Sequence, residues 1–228
     1  MNLKQLNDLS YNDSEEEISD SKSLTNIIIP NNIRIITERT FANNQLTNVI
    51  ISDGVEKIKY NAFYNNKLTS VIIPNSIIEI GNGAFANNQL TNVKLSNNLR
   101  EIELFVFLNN QLRNIEIPNS VIKIGNYAFE NNQLTNVIIS NNIEEIGIFA
   151  FCNNQLKNIT ILDNVKKIGR SAFYNNQLTS IMIPNSVTII GKDALALNQL
   201  TNVTIPKRFK SQCCNIFRDI ANIIFTFI

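Results

Sequence analysis

Apolar residues recur along the chain at a fixed spacing of 22 residues. In the repeat that begins at Leu134, further apolar residues stand three, five, nine and twelve positions later, and the repeat closes with Ala150 and Phe151. A period of roughly 20 to 50 residues is the signature of stacked structural units, so the pattern predicts a solenoid in which each turn contacts only its neighbours. The leucine that marks each turn stands at Leu24, Leu46, Leu68, Leu90, Leu112, Leu134, Leu156, Leu178 and Leu200.

Each repeat predicts two short extended stretches and a return. Val137 and Ile139 are separated by two positions, the period that places side chains on one face of a strand, and β-branched residues suit a pleated surface. Ile146 marks a second, shorter extended stretch. The Ala-Phe pair and the two asparagines after it predict a 3-10 or single-turn helical return. The fold class that follows is a β-rich repeat solenoid.

Three columns of identical residues support stacked turns. Glycines follow the inner isoleucine in five turns, where we expect a positive φ or a close backbone approach. Stacked asparagine amides are expected to satisfy backbone groups at a corner of the solenoid. The phenylalanines are Phe41, Phe63, Phe85, Phe107, Phe129, Phe151 and Phe173, with Leu195 last; the glycines are Gly81, Gly125, Gly147, Gly169 and Gly191; and the asparagines are Asn44, Asn66, Asn88, Asn110, Asn132, Asn154, Asn176 and Asn198.

The shared pattern LTxVxIPxSVxxIGxxAFxNNQ resembles the BspA-like class of leucine-rich repeats. The resemblance covers about residues 24–205, and this chain carries a shortened NNQL form of the repeat. It implies a right-handed leucine-rich-repeat-like solenoid with a parallel sheet on one side. Many relatives in that class are surface proteins of bacteria, protozoa and large viruses, with adhesion or protein binding as their usual role. Because one fold hosts many functions, the resemblance constrains the role only loosely.

Composition divides the chain into three segments. Residues 1–23 are acidic and form either a solvated tail or a cap in which Leu3, Leu6 and Leu9 cover the first turn. Residues 24–205 hold eight full turns of the solenoid and a partial one. Residues 206–228 break the repeat and place their apolar residues at helical spacing, which predicts a helical capping segment. These apolar residues are Ile216, Phe217, Ile220, Ala221, Ile223, Ile224, Phe227 and Ile228.

An alternative for the last segment is membrane contact. Basic residues and two adjacent cysteines could form a lipidated surface anchor, although no terminal prenylation motif is present. No secretory signal peptide is visible, so the sequence favours a cytoplasmic protein, whereas the resemblance allows a cell or virion surface. The residues of the proposed anchor are Lys207, Arg208, Lys210, Cys213 and Cys214.

Composition disfavours most chemical functions. The chain has 20 basic and 19 acidic residues and a net charge of +1, and no basic stripe indicates nucleic-acid binding. Three cysteines form no spaced pair for a metal, and no cofactor motif occurs. Without a histidine, catalysis would depend on carboxylates and lysines. The carboxylates that recur at one edge of the repeat, Glu79, Glu101, Glu144 and Glu145, are more simply explained as a solvated charge row.

The candidate binding residues stand four positions after each leucine, at the outward strand position. Ile28, Ile50 and Ile72 should form a continuous apolar strip, and Lys94 and Glu116 should form a cross-strand ion pair. The leading hypothesis is a noncatalytic scaffold that binds an unidentified protein through this face. The alternative is a structural or surface component that assembles with copies of itself. The full row is Ile28, Ile50, Ile72, Lys94, Glu116, Ile138, Thr160, Met182 and Thr204.

Overall fold

Residues 24–228 are described by a computed structural model, in which they form a parallel β-solenoid of about nine turns with little helix. The turns fold alike because equivalent positions carry similar residue types. Consecutive turns pair in register, so that a residue lies beside the residue 22 positions later, as Ile28 lies beside Ile50. The repeat solenoid predicted from the sequence is confirmed.

The longer strands form a first row along one side of the solenoid. They alternate exposed and buried residues, as expected for strands with one face in the core. The turn that begins at Leu156 contributes no strand to this row. With all strands numbered in chain order, the first row contains β1 (Asn26–Ile29), β3 (Asn48–Ile51), β5 (Ser70–Ile72), β7 (Asn92–Lys94), β9 (Asn114–Glu116), β11 (Asn136–Ile138), β14 (Ser180–Met182), β16 (Asn202–Ile205) and β17 (Ile224–Phe227).

A second row of two-residue strands lies on another side of each turn. The second residue of each strand is an isoleucine buried in the core, and the first is exposed or half-buried. All pairings in this row are parallel. Its members are β2 (Ile35–Ile36), β4 (Lys57–Ile58), β6 (Glu79–Ile80), β8 (Glu101–Ile102), β10 (Lys123–Ile124), β12 (Glu145–Ile146), β13 (Lys167–Ile168) and β15 (Ile189–Ile190).

The phenylalanine column lies at the centre of the solenoid. Every ring from Phe41 to Phe173 is buried, and consecutive rings are nearly parallel with centroids 5.2 to 5.9 Å apart. The repeat leucines and inner isoleucines surround these rings, so one apolar core runs the length of the described turns. The expected column of stacked rings is confirmed.

The buried asparagines bind the backbone and not one another. The amide nitrogen of Asn132 donates to the carbonyl oxygens of Phe107 and Phe129, at 2.9 and 3.2 Å. Its amide oxygen accepts the N–H of Leu112 at 3.0 Å. Amide-to-amide bonds occur instead in the preceding column, as between Asn131 and Asn109 at 2.8 Å. From Asn66 onward, the buried asparagine therefore joins the backbones of adjacent turns, whereas the preceding asparagine joins side chains.

The return to the next leucine is a hydrogen-bonded turn and not the 3-10 helix that the sequence predicts. The glycine after the inner isoleucine is required by close backbone approach, because a Cβ on Gly147 would lie 2.6 Å from the carbonyl carbon of Gly125. Positive φ occurs at two later positions of the repeat, as at Tyr127 (58°) and Asn131 (54°). Between residues 24 and 228 the one glycine with positive φ is Gly83.

The C-terminal segment is only partly helical. Lys207–Gln212 form a 3-10 helix and Cys213–Ile216 form a short helix, α1, but Ile224–Phe227 form strand β17 beside β16. The helical prediction is wrong for these last residues because the edge of β16 offers unpaired backbone groups. The side chains of Phe225 and Phe227 alternate with more exposed neighbours, which suits that edge.

The last turn of the solenoid is covered by this segment. Phe209, Ile216 and Phe217 are buried against the core. The membrane-anchor hypothesis assigns Arg208 to the membrane surface. In the structure its guanidinium donates to the carbonyl oxygens of Asn185 and Val187 at 3.0 and 2.6 Å. No helix within residues 24–228 is long and apolar enough to cross a membrane. The predicted acidic tail or cap at residues 1–23 lies outside the described residues.

Candidate protein-binding face

The outward row consists of the side chains four positions after each repeat leucine, on the solvent side of the first strand row. Ile28, Ile50 and Ile72 are 62%, 51% and 67% exposed, although the residues on either side of each are buried. Farther along, Ile138 and Met182 are also more than half exposed. Large apolar side chains are thus held in water by strands whose opposite faces form the core.

Strand register brings most members of the outward row together. Paired neighbours include Ile28 with Ile50 and Ile72 with Lys94. The expected ion pair between Lys94 and Glu116 is absent within residues 24–228, because no contact of 4.0 Å or less joins their charged groups. Their strands, β7 and β9, belong to separate sheets. Thr160 is exposed but lies in the turn without a first-row strand.

A polar band borders the outward row, and the sequence analysis missed it. The two residues after each leucine, most often Thr and Asn, are exposed in every turn from Thr25 to Asn202. Several threonine hydroxyls donate to the backbone of the preceding turn, as from Thr47 to the carbonyl oxygen of Thr25 at 3.0 Å. The repeated LTN triplet is visible in the sequence, but polar residues at the end of a strand are common and do not by themselves indicate a binding surface. The band supplies hydrogen-bonding groups beside the apolar strip.

The second strand row carries charges that neutralise one another. Glu145 pairs with Lys167 at 2.8 Å and Glu144 with Lys166 at 2.8 Å. Hydrogen bonds from Lys59 and Lys57 lower the pKa of Glu79. The expectation of a shared charge row is met for these carboxylates. These carboxylates are thus accounted for by lysines of the neighbouring turns.

Three aromatic residues form a second column that the sequence analysis missed. Phe105, Tyr127 and Phe149, named here the aromatic ladder, are half-buried and have centroids 5.0 Å apart at each step. All three have positive φ, of 55° to 61°. Bulky residues rarely adopt this conformation, which costs about 1–2 kcal/mol per residue. Stacking returns about 0.5–1.5 kcal/mol per pair, so the rings offset their backbone strain only in part.

The three cysteines are free thiols that differ in exposure. Burial raises the pKa of the Cys152 thiol to about 12, and the neighbouring Glu130 carboxylate acts in the same direction. All three cysteines are unpaired, including the half-buried Cys213 and the exposed Cys214. Within the described turns and C-terminal segment, no three His, Cys, Asp or Glu side chains come together in an arrangement that could hold a metal ion.

Comparison with known proteins finds a repeat family and similar solved structures. The family model of the BspA type leucine-rich repeat region matches residues 14–134 and 122–227, with six copies. The fold is similar to that of a leucine-rich repeat protein from Bacteroides ovatus, with a TM-score of 0.59 and 21% identity over 90% of this chain and 84% of that one. At this identity the likeness concerns the fold alone. No curated protein sequence matches the chain.

Two further solved structures are longer than this chain. A leucine-rich cell surface protein from Faecalibacterium prausnitzii is 22% identical, with a TM-score of 0.48, over 91% of this chain and 61% of that one. The pneumococcal vaccine antigen PcpA is 22% identical, with a TM-score of 0.48, over 79% of this chain and 62% of that one. This chain therefore spans less than two thirds of the length of either protein.

Proposed function

The chain belongs to the BspA-type leucine-rich repeat family, and on that premise we propose that it is a noncatalytic scaffold that binds a protein through the outward row. The observation that carries the proposal is the strip of Ile28, Ile50 and Ile72, each more than half exposed. Ile28 and Ile50 are register partners on β1 and β3, and β5 with Ile72 is in contact with β3, so the three isoleucines of successive turns make an apolar strip. Contiguous exposed apolar surface is typical of interaction sites.

Strand propensity alone does not explain these isoleucines. The same position carries Lys94 and Glu116 in turns whose first-row strands, β7 and β9, are intact. Other turns carry threonine there, which also favours strands. Because the fold tolerates polar residues at this position, the exposed isoleucines are better explained by contact with a partner.

The surroundings of the strip match the layout of a protein interface. Such interfaces have an apolar centre and a polar rim that contributes hydrogen bonds. Here the threonine and asparagine band lies along one border of the strip, and Asn26 and Asn48 lie two residues before Ile28 and Ile50 in the same strands. These amides can bond to the backbone of a partner. Candidate contacts farther along the row are Lys94, Glu116, Ile138, Thr160 and Met182.

The test is affinity capture from the native host with the full chain and two double variants. The first is Ile50→Glu with Ile72→Glu, which places charges in the strip. The matched control is Ile78→Glu with Ile189→Glu, since these isoleucines are 52% and 53% exposed outside the outward row. We expect a partner that is retained by the control and lost by the first variant. Capture that is unchanged by both variants would reject the proposed face.

A second candidate function is assembly of the chain with copies of itself. The observation that favours it is the same apolar strip, which could pack against its equivalent in a second copy across a two-fold axis. In that role the protein would be a structural or surface component of a cell or virion. Light scattering at high concentration should show a dimer or larger species that the Ile50→Glu, Ile72→Glu variant abolishes. A strict monomer would contradict self-assembly and leave binding of another protein in place.

A further inference from the structure

The aromatic ladder has two different ends. At one end, the guanidinium of Arg170 lies over the ring of Phe149, 6.0 Å from its centroid. At the other end, the equivalent position one turn before Phe105 is Gly83, which has no side chain. Among residues 24–228, no cation lies over Phe105, and its one ring contact is with Tyr127. The face of Phe105 directed away from Tyr127 therefore has no covering ring or cation from the neighbouring turn.

The gap at Gly83 is bordered by an amide oxygen. A Cβ built on Gly83 would collide with Oδ1 of Asn61, so this oxygen lies directly beside the glycine. Within the described turns, Oδ1 of Asn61 accepts no hydrogen bond. The Gly83 N–H donates to the carbonyl oxygen of Leu104 at 2.9 Å, which holds this part of the backbone next to Phe105. The Asn61 oxygen thus lies within the space that a side chain at position 83 would take, and a group stacked on Phe105 would lie against it.

The charge beside this end of the ladder is negative. Glu103 lies two residues before Phe105, in a position that is glycine in five other turns. Within residues 24–228, neither Glu103 nor Glu101 has a cation within 4.0 Å, whereas Glu144 and Glu145 on the same strand row are both paired. Burial raises the pKa of Glu103, and the nearby carboxylates of Glu101 and Glu79 act in the same direction, whereas the ammonium of Lys123 opposes them. A cation at this end would thus meet two carboxylates that lack an ion pair within the described turns, with Lys123 beside Glu101 on the neighbouring strand.

We propose that the face of Phe105 over Gly83 binds the guanidinium of an arginine on a partner protein. A guanidinium is planar and cationic, stacks on aromatic faces and carries several donors, so it complements the ring and the Asn61 oxygen, with the negative charge of Glu103 two residues before the ring. The contact between Arg170 and Phe149 supplies the intramolecular precedent at the opposite end of the ladder. Phe105 stands eleven residues, or half a repeat, after the residue of the outward row in the same turn. The proposed site is therefore independent of the function proposed for that row.

Retention of three strained aromatic residues fits this assignment. Other turns place Arg39, Asn61, Gly83, Ser171 or Asp193 at the same position, and all of them have positive φ. The fold therefore imposes positive φ at this position, and glycine or asparagine would adopt it at lower cost than an aromatic residue. A stack of rings instead holds Phe105 in place and keeps its free face directed over Gly83.

The test uses two short capped peptides as probes, acetyl-Gly-Arg-Gly-amide and acetyl-Gly-Lys-Gly-amide, titrated into the labelled full chain by NMR. We expect the arginine peptide to give saturable shifts at Gly83 and at the Phe105 ring, and to bind more tightly than the lysine peptide. Phe105→Asn should weaken binding about three- to fivefold, the effect of losing one cation–π contact. Asparagine is the residue at the equivalent position of an earlier turn, so this variant should fold.

Matched variants separate the site from general charge attraction. Phe149→Asn removes the ring farthest from the site, at the end already covered by Arg170, and should weaken binding of the arginine peptide less than Phe105→Asn does. Glu103→Gly restores the residue of five other turns and should weaken binding. Equal affinity of the Phe105→Asn and unmodified chains, equal binding of the two peptides, or shifts that do not saturate would each overturn the proposal.

Discussion

Two aromatic columns run along this solenoid, two residues apart in each turn that has both, and they differ in almost every physical respect. Phe129 is fully buried among apolar side chains, whereas Tyr127 is half-buried and has a φ of 58°. Ring spacing is nevertheless similar, at 5.5 Å from Phe107 to Phe129 and 5.0 Å from Phe105 to Tyr127. Stacking at the repeat distance is therefore a consequence of the fold and does not by itself mark a stabilising core.

The comparison shows how a repeat separates stability from function. The buried column occupies seven turns, because each turn needs a large apolar side chain at the same place to fill the interior. The aromatic ladder occupies three turns, and its position carries Arg39, Asn61 and Gly83 in the turns before it. A position that varies while the backbone stays constant is free to be used for binding.

The largest effect expected is loss of a buried ring. Phe129→Ala should lower the free energy of unfolding by about 3–5 kcal/mol, because it removes apolar contacts and leaves a cavity between two stacked rings. The measurement is the midpoint of urea unfolding followed by circular dichroism. A midpoint that does not move would mean that this ring lies outside the core.

The second effect concerns the asparagine column beside the rings. Asn132→Ala should lower the free energy of unfolding by about 1–3 kcal/mol, because the carbonyl oxygens of Phe107 and Phe129 and the N–H of Leu112 lose buried partners. Urea unfolding again provides the measurement. Asn131→Gly is the matched control, since glycine keeps the positive φ of the neighbouring position. If both variants lose the same stability, the buried amide has no special role.

The sequence was sufficient for the columns that face inward. Burial imposes one residue type on each position, so a period of 22 residues, the alternation of Val137 and Ile139 and the phenylalanines predicted the rows and the core correctly. The asparagines satisfy backbone groups at a corner, as expected. The sequence did not show that the buried asparagine bonds only to the backbone, because a repeated NN pair does not reveal which of its two amides turns inward. The glycine positions allowed two explanations, and only packing distances distinguish close approach from positive φ.

The candidate site was less predictable because its features depend on backbone geometry. Exposure of the isoleucines in the outward row followed from the period of two, but the expected pair of Lys94 with Glu116 did not form. Nothing in the residue types of Phe105, Tyr127 and Phe149 indicates positive φ. Strand β17 was missed because the apolar residues of the whole C-terminal segment also fit the spacing of a helix. The period of two at Ile223, Phe225 and Phe227 did not by itself favour a strand.

The third prediction tests the exposed column directly. Tyr127→Asn should change the free energy of unfolding by no more than about 1 kcal/mol, in either direction. The variant loses two stacked pairs but relieves a bulky residue of positive φ, and these effects are similar in size. The change should be read from urea unfolding beside Phe129→Ala, because both residues lie in one turn. A loss of more than about 2 kcal/mol would show that the ladder belongs to the core after all.

The smallest effect belongs to the asparagine on the solvent side of β11. Asn136 is exposed at the start of that strand, where its side chain is not needed to satisfy a buried backbone group. Asn136→Ala should therefore change the free energy of unfolding by less than about 0.5 kcal/mol. Asn131 and Asn132 lie at the corner that ends one turn, and Asn136 begins the first strand of the next turn. The variants Asn131→Gly, Asn132→Ala and Asn136→Ala therefore compare three neighbouring asparagines. Stability is again measured by urea unfolding. If Asn136→Ala is as stable as the unmodified chain while Asn132→Ala loses much stability, then burial, and not residue type, determines how much an asparagine contributes to the free energy of unfolding. The polar band that includes Asn136 would then be free to contact a partner without weakening the solenoid.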